Sequence, residues 1–283
     1  MFGAFVNLLL YSNFWIAACA TAMTLQTYFI LEGRLVWSPL IGFVFSSTLF
    51  LYALHRIVGL VKVQPFTNKG RYQVISKFKS HILVYALLSG CLSAYFFFQL
   101  KYQTHLMLLI PGLISLAYVL PIFAKKRRLR DLPFIKIFLV AVVWAWVTVM
   151  LPFIEQGAPL QSSLWLMLLE RACFIFAITL PFDVRDLEVD KHNNVKTIPS
   201  TIGIKKTKAF ALALLILSTA FAAVNAYQYF YEIDVFFGIF FSTLITASIL
   251  NYMDKTQNDY YFTGLVDGTI LIQFMLILLV SLL

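Results

Sequence analysis

An all-α bundle of nine membrane-spanning helices is what this sequence predicts, on three observations. Hydrophobic residues make up 61% of the 283 and charged residues only 12%, and the mean hydropathy is +0.84. That is more apolar surface than one soluble core buries. Apolar runs of the ~20 residues needed to cross a ~30 Å hydrocarbon layer recur along the chain, with charged segments between them. The 22 Lys and Arg gather in alternate connections, as cytoplasmic loops do.

The expected spans are 9–31, 38–61, 81–100, 104–124, 132–154, 162–182, 209–227, 235–253 and 261–283. They follow one another too closely for a soluble domain, so residues 1–283 read as a single domain. Residues 9–31 have no charged n-region before them and no small-residue cleavage site after, and read as a retained span. The connection after the second span holds Lys62, Lys69, Arg71, Lys77 and Lys79. The one after the fourth holds Lys125, Lys126, Arg127, Arg128 and Arg130, and the one after the sixth holds Arg185, Lys191, Lys196, Lys205, Lys206 and Lys208. The opposite connections hold only Arg34 and Lys101. The amino terminus is therefore expected inside, with the loops at 61–80 and 183–208 on one face. The net charge of +9 follows from this bias together with attraction to anionic membrane lipids, and no basic tail or module points to nucleic acid. Cys19, Cys91 and Cys173 lie singly inside spans and read as small packing residues.

"DVRDLEVDKHNNVKTIP", residues 183–199, places four carboxylates within eight residues. The chain from Gly33 to Arg130 has no Asp or Glu at all. On a helix, Asp183, Asp186 and Asp190 share one edge and Glu188 points away. Acids in the last turns of a span oppose the helix dipole and repel one another. They are either a solvated helix end neutralised by Arg185, Lys191 and Lys196, or a site for a hard divalent ion such as Mg²⁺, which bridges carboxylates to phosphate oxygens.

This stretch, continued as "DVRDLEVDKHNNVKTIPSTIG", resembles the second Asp-rich motif of the UbiA superfamily of intramembrane prenyltransferases, DxxDxxxD with a following T-hydrophobic-P…G segment. Asp183, Asp186 and Asp190 occupy its acidic positions. "LAYVLPIFAKKRRLRDLPFIK" is similar to the family's segment between the fourth and fifth spans, through Tyr118, Pro121, Arg128, Arg130 and Pro133. The spans and the long 2–3 and 6–7 loops extend the likeness over nearly the whole chain. The resemblance implies a helical bundle around a central cavity open to the cytoplasmic side and to lipid. It further implies Mg²⁺ held by Asp183, Asp186 and Asp190, and transfer of an isoprenyl group from an isoprenyl diphosphate to a lipophilic, in some members aromatic, acceptor. Metal would stabilise charge on the departing diphosphate, and aromatic walls would face the allylic cation.

One departure stands against the match. Where the family carries its first motif, NDxxDxxxD, this chain reads "LYALHRIVGLVKVQPF". Tyr52, His55, Arg56, Gly59 and Lys62 recur there at helical spacing as a partly basic stripe. This is either a snorkelling interfacial patch or a functional feature, since Arg56 lies inside the apolar run. In the functional case Arg56, with His55 and Lys62, replaces one metal on the diphosphate, or Arg56 pairs with the Asp cluster in a metal-poor site. The candidate diphosphate-binding residues are His55, Arg56, Lys62, Tyr118, Arg128, Arg130 and Lys196; no catalytic residue is assigned.

Glu170 and Arg171 are neighbours in the sixth span and should have different partners. Asp267 reads as interfacial, Gln273 as interhelical glue, and His81, His105 and His192 as structural or solvated. A prenyltransferase is the expected function. The alternative is a catalytically inactive relative that binds an isoprenoid lipid or a partner protein. A transporter would place its charges at the midplane on broken helices, whereas most here are at the rim, and no DG…AR…G signature of a CDP-alcohol phosphotransferase surrounds these aspartates. The expected location is a bacterial inner membrane, with the active face cytoplasmic.

Overall fold

The structure, a computed structural model, describes residues 10, 12–59, 78–122 and 128–282. The helices in chain order are α1 (Phe14–Glu32), α2 (Pro39–Gly59), α3 (Lys79–Phe97), α4 (Tyr102–Val119), α5 (Ile135–Gln156) and α6 (Ser162–Arg185). The short α7 (Leu187–His192) follows, then α8 (Ile198–Tyr227), α9 (Ile233–Asn251) and α10 (Tyr260–Val280). Among the described residues nine of these helices are long and apolar enough to cross a membrane, all except α7, and there is no strand. The chain is an integral, multi-pass membrane protein with the all-helical architecture that its apolar runs predict.

α6 forms the centre of the bundle. Its buried Phe174, Ile175 and Ile178 pack with Cys19 and Met23 of α1, Ile137 and Ala141 of α5, and Leu215 of α8. α3 and α4 lie at the periphery, where Leu87, Leu88, Ile110 and Leu113 are exposed. Exposed leucines on a spanning helix face lipid, and they cost nothing there because acyl chains are as apolar as the side chains. Without a hydrophobic drive between helices, close backbone approach supplies the packing energy. Gly238 of α9 is such a contact: a Cβ there would fall 2.7 Å from Ile277 Cα of α10.

Two local irregularities shape the charged end of the bundle. The acidic stretch is not one continuous helix, because α6 ends at Arg185 and Asp186 takes φ −91°, ψ 6° before α7 begins. The seventh span begins earlier than its apolar run, at Ile198, with Pro199 in the first turn, where a missing N–H costs nothing. Ser200 Oγ accepts the Thr197 N–H at 2.9 Å. Gly203 then breaks the helix with φ 80°, ψ 161°, a conformation costly for any residue with a Cβ. The polar Lys205–Lys208 segment thus follows a hinge and not a straight helix entry.

Candidate functional site

A cavity of about 400 Å³ opens between the helices, lined by residues of α1, α2, α4, α5, α6, α7 and α10 and by the 128–131 segment. Its inner wall is apolar and aromatic, with Ile16, Leu51, Ile114, Val140, Val143 and Trp144. Its mouth is charged, with Arg56, Arg128, Arg130, Lys136, Asp183 and Asp190. Two π-helical turns border it, Trp146–Met150 in α5 and Tyr260–Val266 opening α10. They carry the lining residues Thr148 and Thr263. Such widened turns re-aim side chains and recur beside functional sites.

Lys136 occupies the middle of the acidic cluster. Its Nζ lies 2.6 Å from Asp183 Oδ1 and donates a 2.9 Å hydrogen bond to Asp190 Oδ2. All three residues are buried, at 5%, 2% and 8% exposure. Asp186 also lines the cavity and accepts from Arg185 Nε at 3.0 Å. Arg185 stacks over the rings of Phe182 and Phe262, at 4.8 and 5.5 Å from their centroids. The basic side of the mouth is tied together as well. Arg130 donates through Nη1 to His55 Nε2, so that nitrogen carries no proton, since a guanidinium only donates. The Arg130 guanidinium also lies 5.1 Å above the Tyr118 ring. Burial works against its charge, but Tyr118 with the carboxylates of Asp190, Asp186 and Asp131 outweighs that cost and holds its pKa above the ordinary arginine value. Arg128 pairs with Asp131 at 3.0 Å. Arg56 donates to the Leu10 carbonyl at 3.3 Å.

The fold thus gathers His55, Arg56, Tyr118, Arg128, Arg130, Asp183, Asp186 and Asp190 around one cavity. Lys196 is exposed and not among the lining residues; its carbonyl accepts the Phe134 N–H at 2.9 Å, which ties the segment before α8 to the entry of α5. Lys62 lies outside the described residues. Lys136 was not singled out from the sequence, although a signal was there. It is a lone cation one residue into an apolar run, at a helix N-terminus where the dipole disfavours it. Asp267, read as interfacial, is 8% exposed and lines the cavity.

A site for Mg²⁺ on Asp183, Asp186 and Asp190 does not fit these residues as they stand. Two of the three carboxylates already share the Lys136 ammonium and the third faces Arg185. Among the described residues no three His, Cys, Asp or Glu side chains converge as metal ligands.

Glu170 and Arg171, both wholly buried, have different partners, as their adjacency requires. Arg171 Nη1 donates to the Met23 carbonyl at 3.0 Å and approaches Thr148 Oγ1 at 3.4 Å. Glu170 Oε2 accepts from the Tyr231 hydroxyl at 2.5 Å. Neither lines the cavity.

Solved structures of the same fold are similar to this chain at low sequence identity. A UbiA homologue from Archaeoglobus fulgidus bound to GPP and Mg²⁺ aligns with a TM-score of 0.67 and 13% identity, over 97% of this chain and 100% of that one. An apo UbiA homologue from Aeropyrum pernix K1 aligns at 0.63 and 14%, over 94% and 96%. A structure described as digeranylgeranylglyceryl phosphate synthase aligns at 0.56 and 16%, over 97% and 96%. A comparison with curated proteins finds no match. A model of the UbiA prenyltransferase family matches residues 73–278, most of the chain, including the Tyr118–Arg130 segment and the acidic run on the cavity mouth. The chain belongs to the UbiA prenyltransferase family.

Proposed function

We propose that this protein binds an isoprenyl diphosphate in the α1–α10 cavity and transfers the isoprenyl group to a lipophilic acceptor. The observation that carries the reading is the division of a single cavity into an apolar, aromatic wall and a mouth bearing Arg56, Arg128 and Arg130. An amphiphile with an apolar tail and a polyanionic head matches that division, and guanidinium groups form strong charge-assisted bonds to phosphate. In the transfer, the allylic C–O bond breaks and its electron pair leaves with the diphosphate, whose growing charge the arginines meet. Trp144 and Tyr52 face the electron-poor carbon end. The acceptor forms the new bond and loses a proton, which the departing diphosphate takes up. Similar structures bound to GPP, or to DMAPP, with Mg²⁺ support the donor class. Mg²⁺ in this protein would call on Asp183, Asp186 and Asp190, two of which Lys136 holds, so diphosphate binding and metal use are separate questions. The Lys and Arg bias supports a cytoplasmic mouth.

The test is incubation of the nanodisc-embedded protein with geranyl diphosphate and a membrane lipid extract, followed by assay of released pyrophosphate and mass spectrometry of prenylated products. Pyrophosphate release with a new lipid of matching mass is expected. Stabilisation by geraniol but not by geranyl diphosphate, with no release, would replace the enzyme by a non-catalytic isoprenoid-binding protein.

A further inference from the structure

We propose that Lys136 is a built-in cation that stands in for the divalent metal at the Asp183–Asp190 pair, so that the cavity takes its diphosphate without a metal bridge. The inference rests on the diphosphate reading above for its ligand, but its account of the acids rests on geometry alone. The ammonium is 2.6 Å from one buried carboxylate and 2.9 Å from the other. A Mg²⁺ bound to those oxygens sits about 2.0–2.1 Å from them, within a few ångströms of Nζ. A dication and a buried ammonium at that separation repel strongly in a poorly solvated site, so metal entry requires Lys136 to leave both carboxylates. Lys136 lines the cavity, so leaving them would carry its ammonium into the space a ligand occupies. It is 5% exposed and sits at the second residue of α5, next to the Phe134 N–H that is pinned to Lys196.

The rest of the mouth agrees with this arrangement. No acid stands at the rim end of α2, where Tyr52, His55, Arg56 and Gly59 line the cavity, so a metal would find no carboxylate on that helix to complete a bridge. Arg130 lines the cavity, facing His55 and the Tyr118 ring, and makes no direct ion pair with a carboxylate among the described residues. A lysine has three donors, and two carboxylates leave one for a phosphate oxygen. The division of labour is therefore Lys136 on the acids and Arg56 and Arg130 on the headgroup.

Mn²⁺ binding followed by electron paramagnetic resonance, on the whole protein in nanodiscs, tests the metal claim without any diphosphate. Wild type is expected to show no site-bound Mn²⁺. Lys136→Met is expected to gain one with at least tenfold higher affinity, which Asp183→Asn in the same background removes. The second arm measures geranyl diphosphate affinity of the wild type in EDTA and in excess Mg²⁺, which should agree within twofold, and it needs no variant to fold. Wild-type Mn²⁺ binding that Asp183→Asn abolishes, or a tenfold or greater loss of diphosphate affinity in EDTA, overturns the proposal. If the Mn²⁺ arm behaves as expected and geranyl diphosphate binds under neither condition, the donor reading fails and the role of Lys136 at the acids stands.

Discussion

Two groups of buried charges lie on the same helix and are handled differently. At one end of α6, Asp183 joins Asp190 on Lys136 at the mouth of a cavity. Twelve residues away, about 18 Å at the helical rise, Glu170 and Arg171 are sealed from solvent. The inner pair is held by a backbone carbonyl, a threonine and a tyrosine, and Arg171 Nε and Nη2 and Glu170 Oε1 have no protein partner. Asp183 and Asp190 meet an oppositely charged side chain from another helix, Lys136, and border space that a ligand can enter. The comparison teaches that burial of a charge in this bundle leaves it open to a ligand only where the charge also borders a cavity. Elsewhere it fixes helix positions at a cost in stability.

The largest expected effect breaks the inner pair. Arg171→Ala takes the donor from the Met23 carbonyl and Thr148 Oγ1, empties the space of a wholly buried side chain and removes the neighbouring positive charge of Glu170, and should destabilise the protein by about 2–5 kcal/mol, read as the denaturation midpoint in detergent micelles. A loss below about 1 kcal/mol would mean that water reaches this region and would erase the contrast.

Next comes the mouth. Arg130→Ala should weaken geranyl diphosphate binding by about 1.5–3 kcal/mol, the value of a charge-assisted hydrogen bond, with a small change in unfolding midpoint. Titration calorimetry with the diphosphate checks it. Equal binding by wild type and variant would remove Arg130 from the headgroup site.

Tyr231→Phe sharpens the inner region alone. It removes the hydroxyl that Glu170 Oε2 accepts from and should cost about 1–3 kcal/mol as the carboxyl group loses its partner. Binding of geranyl diphosphate by the variant should be unchanged in calorimetry, because Tyr231 does not line the cavity.

The smallest effect, and one of opposite sign, is expected at Gln273. Both of its side-chain polar atoms are buried without a protein partner, so Gln273→Met removes an unmet amide at nearly constant volume. Stability should be unchanged or higher by about 1 kcal/mol. A clear loss in the same denaturation assay would show that a buried water satisfies the amide and that the inner region is wetter than its protein contacts suggest.

The sequence by itself determined the number, type and approximate extent of the spans, because transfer of apolar side chains into hydrocarbon depends on composition over about 20 residues and hardly on neighbours. It also determined that Asp183 and Asp190 belong to a charged end, since such a run cannot sit in lipid unpaired. Through motif likeness it placed Tyr118, Arg128 and Arg130 near those acids. Only the tertiary structure decided how the charges pair. The spacing of Asp183, Asp186 and Asp190 suggested one edge, and all three line one cavity, but Asp186 pairs with Arg185 while the other two share Lys136. One of the two readings open for Arg56 paired it with the acids, yet Lys136 reaches them from a helix more than forty residues away in sequence. Such a meeting depends on how α5 and α6 are docked, and helix docking follows from the fit of whole surfaces, which no local pattern in a chain encodes.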